Sequence, residues 1–272
     1  MLGMSDYSAP DAAERVAVSE DADGLEELLE KLRRFGFAVA TLPLTSEPSV
    51  LLERMATWMK LGDPYVPMLY QGDDRYAKRY VDIRPNRAED HPSFSTGAAQ
   101  NWHIDGLLEP LGTIKTSLLY CVQPAAAGGR TIVFNSRRAF TELMIEDPEA
   151  AKVLLKPYIL TRVSTLPGVT AEATGPVFGY DDDGELIGRY AEGGDTERWC
   201  PAEEDHEALK RARAYFAACC EADGPLRRAI GLVPGDCLII RNHWVSHARE
   251  AFVDDMRRPR HLVRSLYLNE LP

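Results

Sequence analysis

The chain has 272 residues, enough for one large domain or two small ones, and its 45% apolar and 27% charged content is that of a globular protein. Its 42 acidic residues against 31 basic give a net charge of -11, which argues against a nucleic-acid or anionic-membrane surface but allows a local basic pocket for an anionic ligand. Cys121, Cys200, Cys219, Cys220 and Cys237 are scattered, odd in number and without CxxC spacing, which excludes a disulfide framework or zinc cage and suits a reducing compartment.

No segment approaches the roughly 18 uninterrupted apolar residues of a membrane span. The acidic opening, with Asp6, Asp11, Glu14, Glu20 and Asp21, has neither the basic nor the apolar region of a secretion signal. The expectation is a cytoplasmic protein with a small-molecule partner, no nucleic acid and no membrane. A homo-oligomer is compatible with this composition.

In chain order, residues 1–20, rich in Ser, Ala and Asp, read as a loose segment. Leu25, Leu28, Leu29 and Leu32 recur at helical spacing, predicting an amphipathic helix over 24–34 stopped at Gly36. Phe37–Thr41 reads as a short buried strand, and 49–60 as a second helix with Val50, Leu51, Met55 and Trp58 on its apolar face. Residues 65–100 are irregular, and Tyr65, Tyr70, Tyr76 and Tyr80 within them could form the rim of a pocket.

Strands are predicted over 113–123 and 130–135, separated by Pro124 and a Gly128-Gly129 turn, followed by helical patterns over 136–143 and 147–155. Further strands are expected around 158–164, 176–180 and 185–190, then a long helix over 205–222. A turn at Val233-Pro234-Gly235-Asp236 leads into a strand over 237–241, and the last strand spans 261–269. Short strands with turn signals and intervening helices predict a β-rich α+β fold, a double-sheet jelly roll with helices packed outside, in one domain covering 1–272.

Asn101-Trp102-His103-Ile104-Asp105-Gly106 is the stretch with the clearest chemistry. On an extended segment, residues two apart share a face, so His103 and Asp105 would present an imidazole and a carboxylate together. A second histidine would complete a 2-His-1-carboxylate triad of the kind that holds iron(II) on one face and leaves the other positions open. Of the six histidines, His206 sits among acidic residues at a helix start and His91 precedes a proline, whereas His243 and His247 follow the 237–241 strand. Arg260 and Arg264, four apart, would share a strand face, and a guanidinium fork is suited to a carboxylate-bearing cosubstrate.

Taken together, Trp102-His103-x-Asp105, Gly128-Gly129-x-Thr131, Gly235-Asp236 before a strand ending at Asn242, His247-x-Arg249 and Arg260-x-Leu262-x-Arg264 resemble the taurine dioxygenase and clavaminate synthase-like group. These are iron(II)/2-oxoglutarate-dependent dioxygenases built on a double-stranded β-helix. The match runs from Asn101 to Leu268, and the order from Leu25 through Leu61-Gly62-Asp63 looks like the group's N-terminal portion.

The resemblance implies His103, Asp105 and His247 as iron ligands. It implies Thr131 and Arg260 as the contacts of the distal carboxylate of 2-oxoglutarate, and Arg264 as a substrate-facing cation. The segment 189–195 falls where amino-acid hydroxylases of the group place a substrate loop, so Glu192 and Asp195 are candidates to meet a substrate amine. The group's usual Asp-Asn before the distal histidine is Arg241-Asn242 here, and a polar residue upstream of Trp-His is replaced by Ala99, so the resemblance does not extend to taurine as substrate.

The implied reaction consumes 2-oxoglutarate and O2, releases succinate and CO2, and hydroxylates an unactivated C–H bond of an amino-acid-like or natural-product substrate. With Asp105 present, hydroxylation is favoured over halogenation. Desaturation, cyclisation or sulfonate oxidation are the variants within the group. A zinc or nickel hydrolase, or a non-catalytic binding protein, would not account for Thr131, Arg260 and Arg264 at these positions.

Overall fold

A computed structural model describes residues 6–45, 47–72, 77–84, 91, 94–106, 108–221 and 224–272. Its centre is two facing sheets. The larger has six strands in the order Arg15–Ala17, Phe37–Thr41, Asp236–Arg241, Thr116–Gln123, His261–Tyr267, Val81–Ile83. The smaller has four, in the order Arg227–Ile230, Thr131–Phe134, Ser246–Arg249, Gln100–His103. Apart from the parallel edge pair of Arg15–Ala17 with Phe37–Thr41, neighbours in both sheets run antiparallel. This is the expected double-stranded β-helix.

The period of two along each strand sorts its side chains between two apolar layers. Phe37, Val39, Leu238 and Ile240 of the large sheet meet Val133 and Ile230 of the small one, forming the core between the sheets. The alternate residues, Ala38, Ala40, Cys237 and Ile239, face outward against Leu28, Leu32, Leu52 and Met55 of the helices Leu25–Phe35 and Pro48–Trp58. Both faces of Phe37–Thr41 are therefore covered, which is why it reads as an unbroken apolar run. The helices Ser136–Glu146, Pro148–Val153 and His206–Cys219 cover the outer face of the small sheet through Phe140, Leu143, Leu209 and Phe216. Gly36, in the left-handed conformation at φ 77°, ends the first helix and donates to Leu32 O.

A further three-stranded sheet, Glu197–Trp199, Leu160–Val163, Glu172–Gly175, lies beside this sandwich. It borders the cavity described below.

Residues 6–18 are not loose as the composition suggested. Tyr7 is fully buried and donates to Phe35 O at 2.5 Å. Pro10–Ala13 forms a 3-10 turn, and Val16, in the edge strand of the large sheet, and Val18 just after it are buried in the same apolar layer as Leu28 and Leu32. A few apolar residues among many polar ones anchor the segment. Of the four tyrosines proposed for the rim, Tyr70 lines the cavity, and Tyr76 lies outside the described residues. No helix among the described residues is long and apolar enough to cross a membrane.

Candidate active site

The inward face of the sandwich changes character towards one end. Inward positions that hold Val133 and Ile240 give way to Thr131, Ser117, His103, His247, Arg249, Arg260 and Arg264, which line a small cavity of about 40 Å³. His247 stands directly across from His103 on neighbouring antiparallel strands, with ring centroids 4.2 Å apart. Asp105 lies two residues beyond His103, its Oδ2 3.9 Å from His247 Nε2. The structure thus brings together the three side chains that the sequence suggested.

Two of them, His103 and Asp105, are held from behind. Asn101 O contacts His103 Nδ1 at 2.7 Å, which fixes the tautomer and leaves Nε2 as a donor for a metal. Ser117 Oγ donates to Asp105 Oδ2 at 2.8 Å. Asn242 clamps the Asp105 backbone, its Oδ1 accepting from Asp105 N at 2.9 Å and its Nδ2 donating to Asp105 O at 3.0 Å.

Desolvation, reinforced by the His247 ring, draws the His103 pKa down to about 3, and desolvation likewise lowers His247. Both imidazoles are therefore neutral near neutral pH. Burial alone would raise the Asp105 carboxyl, but the charge of the Arg264 guanidinium, with the Ser117 hydroxyl in support, more than offsets it and holds it below its usual range.

Arg264 Nη1 donates to Asp105 Oδ1. Among the described residues no trio of His, Cys, Asp or Glu side chains closes tightly round an ion as they stand. The donor set is still the one suited to iron(II). Two neutral imidazoles and a carboxylate are gathered on one side, with a hydroxyl on the carboxylate and an amide on the backbone that carries it.

Below this cluster lie Thr131 and Arg260, both buried. Burial, then the like charge of Arg249, draws the Arg260 pKa down to about 10. Its guanidinium stacks over Phe252 at 5.2 Å, and its side chain makes no ion pair or hydrogen bond among the described residues. Arg249 Nη2 donates to Thr96 O and Ala98 O at 3.1 and 2.8 Å. A hydroxyl that lines one cavity with two buried guanidiniums can take one end of a dicarboxylate.

A second cavity, about 290 Å³, opens on the other side of His103 and Asp105. Tyr70, His91, Phe94 and Trp102 give it an aromatic wall, and Arg162, Thr196 and Asp195 a polar one. His91 stacks on Phe94 with centroids 3.6 Å apart, and its Nε2 lies 3.0 Å from Tyr70 Oη.

Other expected residues are placed differently. Glu192 does not line this cavity: its carboxylate is held by Arg213 Nε and Nη2 at 2.8 and 2.6 Å, a bidentate pair that removes it as a substrate contact. Asp195 does line it. His243 points away from the cluster, with Nδ1 3.2 Å from Lys115 O and Nε2 3.3 Å from Glu270.

Sequence reasoning missed Ser117, Arg162 and His91 as site residues. Ser117 was legible in principle as an inward hydroxyl in an otherwise apolar strand. Arg162 and His91 had no local signal, because only the tertiary fold carries them to the cavity.

The family model for the taurine catabolism dioxygenase TauD, TfdA family matches residues 7–266. The chain is 48% identical over 250 residues to a uridine-5'-phosphate dioxygenase of a Streptomyces species, covering 90% of this chain and 89% of that one. It is 41% identical over 249 residues to a uridine-5'-phosphate dioxygenase of an Amycolatopsis species, covering 91% and 90%. Among solved structures, an asparagine oxygenase in complex with Fe(II), 2S,3S-3-hydroxyasparagine and succinate superposes with a TM-score of 0.67 at 18% identity, covering 90% of this chain and 79% of that one. The non-heme iron oxygenase OrfP, in complex with Fe, succinate and (3S)-hydroxy-L-Arg, gives 0.63 at 16% identity, covering 91% and 78%.

Proposed function

The chain is a dioxygenase of the taurine catabolism dioxygenase TauD, TfdA family, and on that premise we propose that it uses iron(II), 2-oxoglutarate and O2 to oxidise a C–H bond of a nucleoside 5'-phosphate, uridine 5'-phosphate foremost. The observation that carries this reading is the pairing of His247 with His103 across adjacent strands, beside Asp105 and above the Thr131–Arg260 pocket. The 48% identity to a uridine-5'-phosphate dioxygenase supports the choice of substrate.

His103, Asp105 and His247 would hold the iron. When bound, iron and 2-oxoglutarate supply with O2 the oxidising power for an unactivated C–H bond, with release of succinate and CO2. The chain's own residues do the positioning. Arg260 and Thr131 bind the distal carboxylate of 2-oxoglutarate and so aim its other end at the triad. Ser117 holds the Asp105 carboxylate, and Asn242 fixes the backbone that carries it. The aromatic wall of Tyr70, Phe94 and Trp102 excludes water from the reacting end of the larger cavity and offers faces for a planar base.

Conversion of 2-oxoglutarate to succinate should require iron(II) and uridine 5'-phosphate together, with the nucleotide consumed in equal amount. In Arg260→Ala, loss of a charge-assisted carboxylate contact should weaken 2-oxoglutarate binding by roughly 30- to 1000-fold and leave iron affinity nearly intact. Unchanged 2-oxoglutarate affinity in that variant would overturn the cosubstrate assignment. A second reading, an amino acid anionic at one end and cationic at the other, is favoured by Asp195 in the cavity wall. It would be adopted if free amino acids, and not the nucleotide, drive succinate formation.

A further inference from the structure

Arg162 is a group in the larger cavity that the reaction as derived leaves without a task. It stands in the Leu160–Val163 strand, 2% exposed, yet lines the cavity shared with His103, Asp105 and Thr196. Its Nε and Nη1 are buried without a hydrogen-bond partner. The acids that act on it are engaged elsewhere: Glu197 accepts from Gly194 N and from Thr196 Oγ1, and Glu109 accepts from Met68 N at 2.6 Å. A second buried guanidinium adds like charge. Arg189 is 4% exposed, donates from Nε to Pro176 O at 2.8 Å, and has an Nη2 without a partner.

A guanidinium does not shed its proton on burial. Desolvation and the neighbouring Arg189 bring the Arg162 pKa down only to about 10, which leaves it charged at neutral pH. A buried charge without a hydrogen-bonded counter-ion is among the costliest features a fold can carry. Arg162, at the wall of a cavity that also holds the candidate catalytic cluster and under the like charge of Arg189, makes sense if an anion completes it. The Nε–Nη edge of arginine matches two oxygens of a phosphate in one plane. Arg264, the cation expected from the sequence to meet the substrate, already donates to Asp105.

We propose that Arg162 is the phosphate anchor of the substrate site, its guanidinium binding the phosphate monoester of the nucleotide and so setting which carbon lies beside His103, Asp105 and His247. The inference rests on the nucleotide reading above, and the test separates the two. In Arg162→Met and Arg162→Gln, KM for uridine 5'-phosphate in succinate formation should rise about 30- to 1000-fold, with KM for 2-oxoglutarate unchanged. Arg162→Lys, which keeps the charge but loses the fork, should recover part of the loss.

Thermal unfolding gives a readout that a merely structural arginine would not. Without anions Arg162→Met should melt at or above wild type, because an uncompensated buried charge has gone. Uridine 5'-phosphate or inorganic phosphate should then stabilise wild type and not the variant. An unchanged KM for the nucleotide, or a variant that melts well below wild type without anions, overturns the anchor. If the nucleotide supports no turnover but phosphate stabilises wild type and not Arg162→Met, the anchor stands and the nucleotide reading falls. If neither anion separates the two proteins, the anchor falls.

Discussion

Four positions separate His243 from His247, and their partners assign them opposite roles. The imidazole of His243 is 2% exposed and lies between Lys115 O and the Glu270 carboxylate, so both ring nitrogens have a structural partner. His247 faces His103 and Asp105 across the strand pair, and its Nδ1 has no partner. From the sequence alone the choice rested on resemblance, because both histidines follow the same strand and neither spacing is decisive. The parity of the Ser246–Arg249 strand supplies the missing physics, since it turns His247 and Arg249 inward and sends Ser246 outward to Ser136 and Tyr190. Under anaerobic conditions, iron(II) and 2-oxoglutarate should give the weak visible charge-transfer band of a chelated keto acid. His247→Ala should abolish the band and His243→Ala should retain it. The reverse result would transfer the ligand role to His243.

The elements that were legible are those whose two faces follow one rule. Phe37–Thr41, Asp236–Arg241 and the helix Leu25–Phe35 carry unbroken or periodic apolar patterns, because each packs between layers or against one. Ser246–Arg249, Gln100–His103 and Arg227–Ile230 were not recognised as strands. The first two spend their inward positions on the site, so their sequences are as polar as a loop. Glu172–Gly175 and Glu197–Trp199 carry exposed polar residues and are fixed by pairing to Leu160–Val163.

The Gly128-Gly129 turn shows how a local rule places a distant function. Gly128 has φ +73°, and a Cβ there would collide with the backbone oxygen of Ala251. The turn pairs Ala127–Gly128 with Phe252–Val253 and delivers Thr131 to the pocket that Arg260 shares. Gly128→Ala should therefore cost about 1–3 kcal/mol of stability, measured by denaturant unfolding, and weaken 2-oxoglutarate more than iron. Gly184→Ala is the control. It has a similar φ of +79° but open space around it, so it should show only the smaller conformational cost and no effect on the cosubstrate. Equal effects on iron and 2-oxoglutarate in Gly128→Ala would mean that the turn supports the whole sandwich and not the Thr131 side alone.

Across the whole molecule, residues near both ends of the chain brace the sandwich beside the 241–244 corner. At the start, Tyr7 is buried beside Phe35 and Phe37. At the end, Lys115 N donates to Tyr267 O, and Glu270 gathers Arg241 Nη1 at 2.5 Å, His243 Nε2 at 3.3 Å and Lys115 Nζ at 3.9 Å. This cluster flanks Asn242, the residue that clamps Asp105, so it couples the chain terminus to the site through a rigid corner. The His243 hydrogen bond, with Arg241 and Lys115 in support and burial opposing, lowers the Glu270 carboxyl from 4.5 to about 2. A carboxyl lowered in the folded state stabilises the fold above its unfolded pKa, and that contribution is lost as pH falls through the folded value. Glu270→Gln should therefore unfold at a lower urea concentration than wild type at pH 7. The gap should hold down to about pH 5, then narrow as pH falls through the window between 4.5 and about 2. A gap that stays constant, or widens, between pH 5 and pH 3 would show that Glu270 acts through packing and not through its charge.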